Sequence, residues 1–287
     1  MDDISRRRAE LRWGDQVLTL STFEDDREEE HHLTDLEGWF GGVGVYGTQP
    51  QRELGHGLFP RKALRTGRTL TLKGSLWFRE ESWRDLADRY VSGILWDGQF
   101  GTLTYTVDGL QLSTRVRLDG EVKHATKGFE WIDFEVPLMA PDPFLYAPER
   151  QTSVVPPGYG EGVRLATGPF ERDVFRFYGG PPPGGVLTNG GNAEAWPRIV
   201  VRGAWPSGFR ISCGRKSIVY PHPVYEQAPL TVDTRTGSVS VRGADQTHLL
   251  TRREWFSVPP HGAVTVRIDP YAPSEGWMDV YTRDTYI

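Results

Sequence analysis

Several residue groups in this 287-residue chain have types and spacings that suggest chemistry, and each is weakened by what surrounds it. Gly42-Val43-Gly44-Val45-Tyr46-Gly47 matches the G-x-G-x-x-G spacing of dinucleotide-binding turns, in which a helix N-terminus receives the pyrophosphate. Here Thr48-Gln49-Pro50 follows and no amphipathic helix begins, so the segment reads as a glycine-rich loop. His31-His32 follows Glu28-Glu29-Glu30, but adjacent side chains diverge in helix and strand alike, and neighbouring histidines rarely chelate one ion unaided. A solvated charge run is the plainer reading. The remaining histidines show no ligand spacing, and there is no G-x-S-x-G elbow and no H-E-x-x-H. Cys213 is alone, which excludes an internal disulfide and a cysteine-based zinc site. Carboxylates are too abundant for a glycosidase pair to stand out. No catalytic residue, cofactor or metal is expected, and the chain does not read as an enzyme.

Two further groups suggest binding rather than catalysis. There are ten tryptophans, and Trp13, Trp96, Trp196, Trp205, Trp255 and Trp277 suit sugar stacking if exposed and a β core if buried, with the core weighted more heavily. Glu24, Asp25, Asp26, Glu28, Glu29 and Glu30 form an acidic cluster. On the inner wall of a ring of several copies, such a cluster would repel passing DNA and keep it from sticking. The net charge of −5, without a basic stripe, argues against gripping a phosphate backbone. No stretch approaches the roughly 20 apolar residues of a membrane span, and the N-terminal arginines have no apolar run behind them, so synthesis in a cytoplasm without membrane insertion is expected.

The elements that must position these groups are mostly short strands separated by Gly, Pro, Asn and Asp. Trp131 to Tyr146 divides the chain: Ile132, Phe134, Val136 and Leu138 share one face of a strand, and Pro141 and Pro143 then stop the ladder because they lack the N–H that a neighbour needs. Residues 1–143 carry 25 Asp and Glu against 18 Lys and Arg, and the remainder 13 against 15; only five of the 21 prolines lie in the first part. This predicts two domains. In the first, Gln16 to Ser21 and Arg68 to Phe78 read as strands, and Asp108-Gly109 as a tight turn joining Thr102–Val107 to Leu110–Leu118. Trp83, Leu86, Ala87, Tyr90 and Val91 make one apolar helical stripe, with Ser82 placed to cap it and Gly93 to end it. The first domain is thus expected to be a β-sandwich with one helix. Glu24 to Gly67 reads as a long interval of few regular signals. Its apolar residues, Leu36, Trp39, Phe40, Val43, Val45 and Tyr46, suggest a projecting arm or hairpin that packs on another subunit, with a plain surface excursion as the alternative. In the second half, Arg198–Arg202, Gly208–Cys213, Leu230–Asp233, Ser238–Arg242, Ala263–Ile268 and Trp277–Arg283 read as strands, with Asp233 to Gly237 as a turn. An antiparallel two-sheet jelly roll fits them.

With these segments placed, the chain resembles the distal tail proteins of long, non-contractile-tailed bacteriophages, the siphophages, often called minor tail proteins in phages of actinobacteria. The resemblance covers most of the chain. In the first half it rests on Gly55-His56-Gly57-Leu58-Phe59, Gly67 to Leu76, the helix, and Phe134 to Pro143. In the second it rests on Asn189 to Gly203, Leu230 to Gly237 and Trp255 to Gly262. At Pro259-Pro260-His261-Gly262-Ala263 the chain departs from the family's Pro-Gly turn and asparagine.

The resemblance implies a mainly β chain: an N-terminal ring-forming, tail-tube-like domain over 1–143, a linker over 144–162 and a galectin-like jelly-roll domain over 163–287. It further implies a hexameric ring joining the tail tube protein to the tail-tip hub protein. DNA would pass through the lumen, and the outer domains would serve as a docking platform for receptor-binding proteins. The place so implied is the virion tail tip, after assembly in the host cytoplasm. The alternative reading is a carbohydrate-binding protein that uses the second-half jelly roll.

Overall fold

The computed structural model describes residues 7–22, 30–47, 50–56, 59, 64–77, 81–127, 131–157, 163–165, 175–177 and 184–287; for 30, 81–84, 163–165 and 175–177 it describes the backbone alone. The chain forms two compact units, Met1–Pro148 with Ile287, and Glu149–Tyr286. Strands dominate both, and among the described residues there is one α-helix.

The first unit contains β1 (Arg7–Trp13), β2 (Gln16–Ser21), β3 (Glu30–Glu37), β4 (Val45–Tyr46), β5 (Leu64–Arg65), β6 (Arg68–Trp77), α1 (Glu81–Ser92), β7 (Gly101–Val107), β8 (Leu110–Leu118), β9 (Lys123–Lys127), β10 (Trp131–Ala140) and β11 (Leu145–Tyr146). The expected sandwich is instead a closed barrel of seven strands in the order β8-β7-β1-β2-β3-β6-β10. Closure depends on β10 dividing one edge between two partners. Trp131 to Glu135 pair with β9, whereas Leu138 and Met139 pair with Leu118 and Arg117 of β8. Pro137 falls between these two sets, where its missing N–H interrupts neither ladder.

The alternation read in β10 holds, with Ile132, Phe134, Val136, Leu138 and Ala140 all facing the core. A small barrel of this kind has room only for side chains. Gly74 shows how tightly they pack: a Cβ there would lie 2.8 Å from Leu20 Cδ1 and 2.9 Å from Phe134 Cζ. Asp108 and Gly109 adopt φ of 48° and 85°, the left-handed pair that matches the twist of the β7–β8 hairpin.

The helix departs from its sequence pattern in three ways. It begins at Glu81, so Ser82 lies within the first turn rather than before it. Ala87 and Val91 are buried, but Leu86 is 64% exposed; the packed stripe instead continues into Ile94 and Leu95 beyond the helix. Gly93 donates to the carbonyls of Arg89 and Tyr90 and does not reverse the chain; Leu95 takes the left-handed conformation, with φ of 51°.

Glu30–Glu37 corrects the expectation of one long irregular interval. It is a full barrel strand, paired antiparallel with β6 and joined to β2 by one parallel bridge, Ser21 to His32. A bulge between Leu33 and Asp35 lets both Leu33 and Leu36 reach the interior. Strand directions place the end of β3, the start of β6, the end of β10 and the β7–β8 turn at one end of the barrel. The β1–β2 turn and α1 lie at the other.

The second unit contains β12 (Arg150–Val154), β13 (Val163–Leu165), β14 (Phe175–Phe177), β15 (Gly185–Asn189), β16 (Arg198–Arg202), β17 (Phe209–Cys213), β18 (Lys216–Tyr220), β19 (Leu230–Asp233), β20 (Ser238–Val241), β21 (Ala244–Asp245), β22 (Arg252–Arg253), β23 (Gly262–Pro270) and β24 (Trp277–Thr282). Two antiparallel sheets, β12-β24-β16-β19-β20-β21 and β15-β23-β17-β18-β22, contribute to one hydrophobic core. Trp205, Phe209 and Phe256 are its largest fully buried side chains. Pairing also runs through much of 144–162: Tyr146 pairs with Ser113 in the first unit, and β12 pairs along its length with β24 in the second. The turn after β19 is an Asx turn, with Asp233 Oδ1 accepting from the N–H groups of Arg235 and Thr236 and Gly237 at φ of 70°. In the divergent turn before β23, His261 takes φ of 49° and donates its N–H to the Gly191 carbonyl.

Candidate interaction surface

The arm end of the barrel is organised by a buried cation. Arg68 opens β6 in the same phase as Leu70 and Leu72, so its side chain points inward, and it is 3% exposed. Its Nη1 donates to the carbonyls of Gly38, Trp39 and Gly41 at 3.0, 2.8 and 3.0 Å. Nε and Nη2 donate to the Pro143 carbonyl at 3.2 and 3.1 Å. No carboxylate is among these partners; the planar fork is matched to backbone carbonyls. Burial lowers the Arg68 pKa from its usual value. One side chain thus ties the chain leaving β3 to the proline exit after β10.

Gly38, whose carbonyl Arg68 holds, is obligatory. Gly38 has φ of 80°, and a Cβ there would lie 2.2 Å from the Thr69 carbonyl oxygen. Asp142 holds the other side, accepting from the Phe144 N–H at 3.2 Å and the Tyr146 hydroxyl at 2.6 Å.

From this root the chain leaves the barrel as a two-stranded ribbon. Val45 pairs with Arg65 and Tyr46 with Leu64, and the Phe59 N–H donates to the Pro50 carbonyl farther out. The base is braced by Thr66, whose N–H donates to the Gly44 carbonyl, and by Arg65 Nη1, which donates to the Val43 carbonyl. Trp39 is buried with its ring edge-on to Tyr105, and Val43 is buried as well. Phe40, Val45 and Tyr46 are exposed, as are Leu54, Phe59 and Leu64 along the ribbon, with Leu54 100% exposed and Phe40 74%. Of the six residues named from sequence, Leu36 belongs to the barrel strand β3, and the other five divide, with Trp39 and Val43 anchoring and Phe40, Val45 and Tyr46 presenting apolar surface. The G-x-G-x-x-G spacing lies in this extended root and takes in β4, with no helix following among the described residues before α1.

Of the acidic cluster, Glu24, Asp25, Asp26, Glu28 and Glu29 lie outside the described residues, and Glu30 is the first residue of β3, opposite Trp77. His31 Nδ1 lies 3.1 Å from the Thr19 carbonyl oxygen. Among the described residues no group of three His, Cys, Asp or Glu is arranged to hold a metal ion. The tryptophans separate by burial. Trp13 and Trp205 are in the cores as weighted, whereas Trp96 is 74% exposed and Trp196 and Trp277 keep more than a third of their surface.

Sequence reasoning missed Arg68, although its signal was present: an arginine in the inward phase of an otherwise aliphatic strand. It also missed Asn189, buried at the end of β15. Its amide donates to the Ala193 carbonyl at 2.7 Å and to those of Val258 and Pro259 at 3.3 Å, and its oxygen accepts from the N–H groups of Gly191 and Thr285. Beside it, Asp284 accepts two hydrogen bonds from Arg150 and one from the Gly190 N–H. Both knots hold loops in place.

The chain shares its fold with the SPP1 Dit protein. The two superpose with a TM-score of 0.62 at 12% identity, covering 90% of this chain and 94% of that one. The solved structure of that protein is described as a paradigm of the hub adsorption apparatus in phages infecting Gram-positive bacteria. Two structures of the phage P2 baseplate in its activated conformation, with Ca and with Sr, match at TM-scores of 0.49 and 0.48 and identities of 10% and 11%. These cover 97% and 96% of this chain and 98% and 97% of theirs. No protein-family model and no curated protein matches the sequence.

Proposed function

We propose that the chain is a virion structural protein of a siphophage tail tip, of the actinobacteriophage type, forming the distal ring between tail tube and hub. The observation that carries this is the shared fold: superposition on SPP1 Dit spans 94% of that chain and so takes in both units, not a single common barrel. The first unit, on this reading, is the ring-forming domain. Its acidic balance and the Glu24–Glu30 cluster suit a lumen that DNA must traverse without sticking. The arm, with Phe40, Val45 and Tyr46 exposed, supplies apolar surface to a neighbouring copy. The second unit, whose two sheets share one core, takes the role of a galectin-like jelly roll facing outward as the docking platform for host-attachment proteins. Six copies, a tube protein on one side and a hub protein on the other complete the assembly. Negative-stain imaging and native mass of the purified chain test this: closed rings support it, and a chain that stays monomeric or dimeric at micromolar concentration opposes it.

One observation favours a second reading, carbohydrate binding by the second unit. Trp196 and Trp277 remain 37% and 38% exposed there, surface of the kind that stacks on sugar rings. Binding to host wall polysaccharide that disappears in Trp277→Ala supports it, and no binding by the native chain removes it.

A further inference from the structure

The first unit carries two unlike apolar patches at opposite ends of one barrel. At the arm end stand Phe40, Val45, Tyr46, Leu54, Phe59 and Leu64. At the helix end stand Leu86, Trp96, Phe100 and Val17. The helix-end patch stands on buried neighbours. Trp96 follows Ile94 and Leu95, both fully buried, and the left-handed turn at Leu95 projects it; Asp97 then closes the turn by accepting the Gln99 N–H at 3.0 Å. Phe100 is held under the Arg115 guanidinium, 4.7 Å from its ring centroid. A large aromatic side chain held in place before binding is the usual anchor of an interface.

Charge separates the two ends as well. Among the described residues, the arm carries Arg52 and Arg65 against Glu53, a balance of +1. The helix end carries Asp85, Asp88 and Asp97 against Arg89, a balance of −2. A patch that met its own copy would place like charges together, whereas arm against helix end places opposite charges around two apolar centres. The reach is sufficient. The nine residue steps from Val45 to Leu54 span at most about 30 Å of extended chain, comparable to the height of a barrel of ten-residue tilted strands.

We infer that the arm of one copy docks on the helix end of the next, around Leu86 and Trp96, making a heterologous head-to-tail contact between copies. This rests on the ring reading and deepens it by naming the surface that receives the arm. A contact of this kind closes into a ring when the rotation per subunit permits, and joins more than two copies in either case.

The test is site-specific crosslinking in the full chain. Cys213 is buried, so Leu54→Cys and Leu86→Cys supply the reactive thiols, and a short bis-maleimide reports their proximity. The double variant L54C/L86C gives a ladder beyond dimer on a denaturing gel, and each single variant stays monomeric. The ladder fades as ionic strength rises, because the steering charges are exposed. Trp96→Asp reduces it at least tenfold. Crosslinking of L54C alone to a dimer shows arm-to-arm pairing and overturns the inference. Rings seen by native mass without a ladder overturn the inference and leave the ring standing; a chain that remains monomeric overturns both.

Discussion

Replacing Arg68 by Met keeps the aliphatic volume of the stem and removes every donor. Four carbonyls, those of Gly38, Trp39, Gly41 and Pro143, then lose their partner. A buried acceptor left unpaired costs about 1–3 kcal/mol, and the contact to Trp39 is fully buried while the others are partly so. Counting the Trp39 carbonyl near the top of that range and water as reaching two of the others gives about 5 kcal/mol. The methionine avoids the cost of burying a cation, which returns about 1–2 kcal/mol. The net loss is about 3–4 kcal/mol, a fall of roughly 10 °C in the melting transition of a unit this size. Arg68→Lys keeps the charge but has no fork to span both carbonyl sets, and loses about half as much. Calorimetry of the full chain supplies the midpoint, and hydrogen exchange at the Thr66 amide, bonded to the Gly44 carbonyl, reports the arm root directly. An Arg68→Met protein that melts within about 2 °C of the native chain, with unchanged protection at Thr66, refutes the reasoning.

Gly38→Ala places a Cβ against the Thr69 carbonyl in a left-handed backbone, and is expected to destabilise the first unit by about 2 kcal/mol or more, read as a lower urea midpoint. Asn189→Ala orphans groups on both sides of its amide and is expected to cost the second unit about 3 kcal/mol by the same measurement. Acid sensitivity follows from Asp279 and Asp284. Burial alone would raise Asp279, but hydrogen bonds from Ser153 and Arg202 hold it below the ordinary 3.8, and Arg150 followed by the Gly190 N–H holds Asp284 below it too. A depressed carboxyl contributes its full stability above the unfolded value and loses it as pH falls through the folded one. The second unit should therefore keep its stability above about pH 4 and lose it below, with a shallower fall in Asp284→Asn. An identical acid slope in that variant would count against the assignment.

Where one face is wet and the other dry, the strands were legible. β10, β17, β19 and β23 each show that contrast at the positions read. The tight turns were legible too, because Asp108-Gly109 and Asp233 to Gly237 carry their geometry in residue type. β18 was not, since Ser217 to Tyr220 are all buried and no alternation exists to read. β3 was hidden by a charged sequence and by a bulge that breaks the two-residue period between Leu33 and Leu36. Barrel closure was beyond local pattern, because it depends on β10 exchanging β9 for β8 midway along one edge. In the candidate surface, the exposed half of the arm could be read from apolar residues without a partner. The anchoring of Trp39 and Val43 could not, because it depends on Arg68 at the Trp39 carbonyl and on Arg65 at the Val43 carbonyl, both far from them in sequence.

The central claim is that this fold assembles as a ring through its first unit. Cryo-electron microscopy of the purified chain tests it most directly: the account predicts closed six-membered rings with the barrels around the lumen and the two-sheet units outside. Single copies or two-fold dimers, or rings built through the second unit with the arms free, would contradict it.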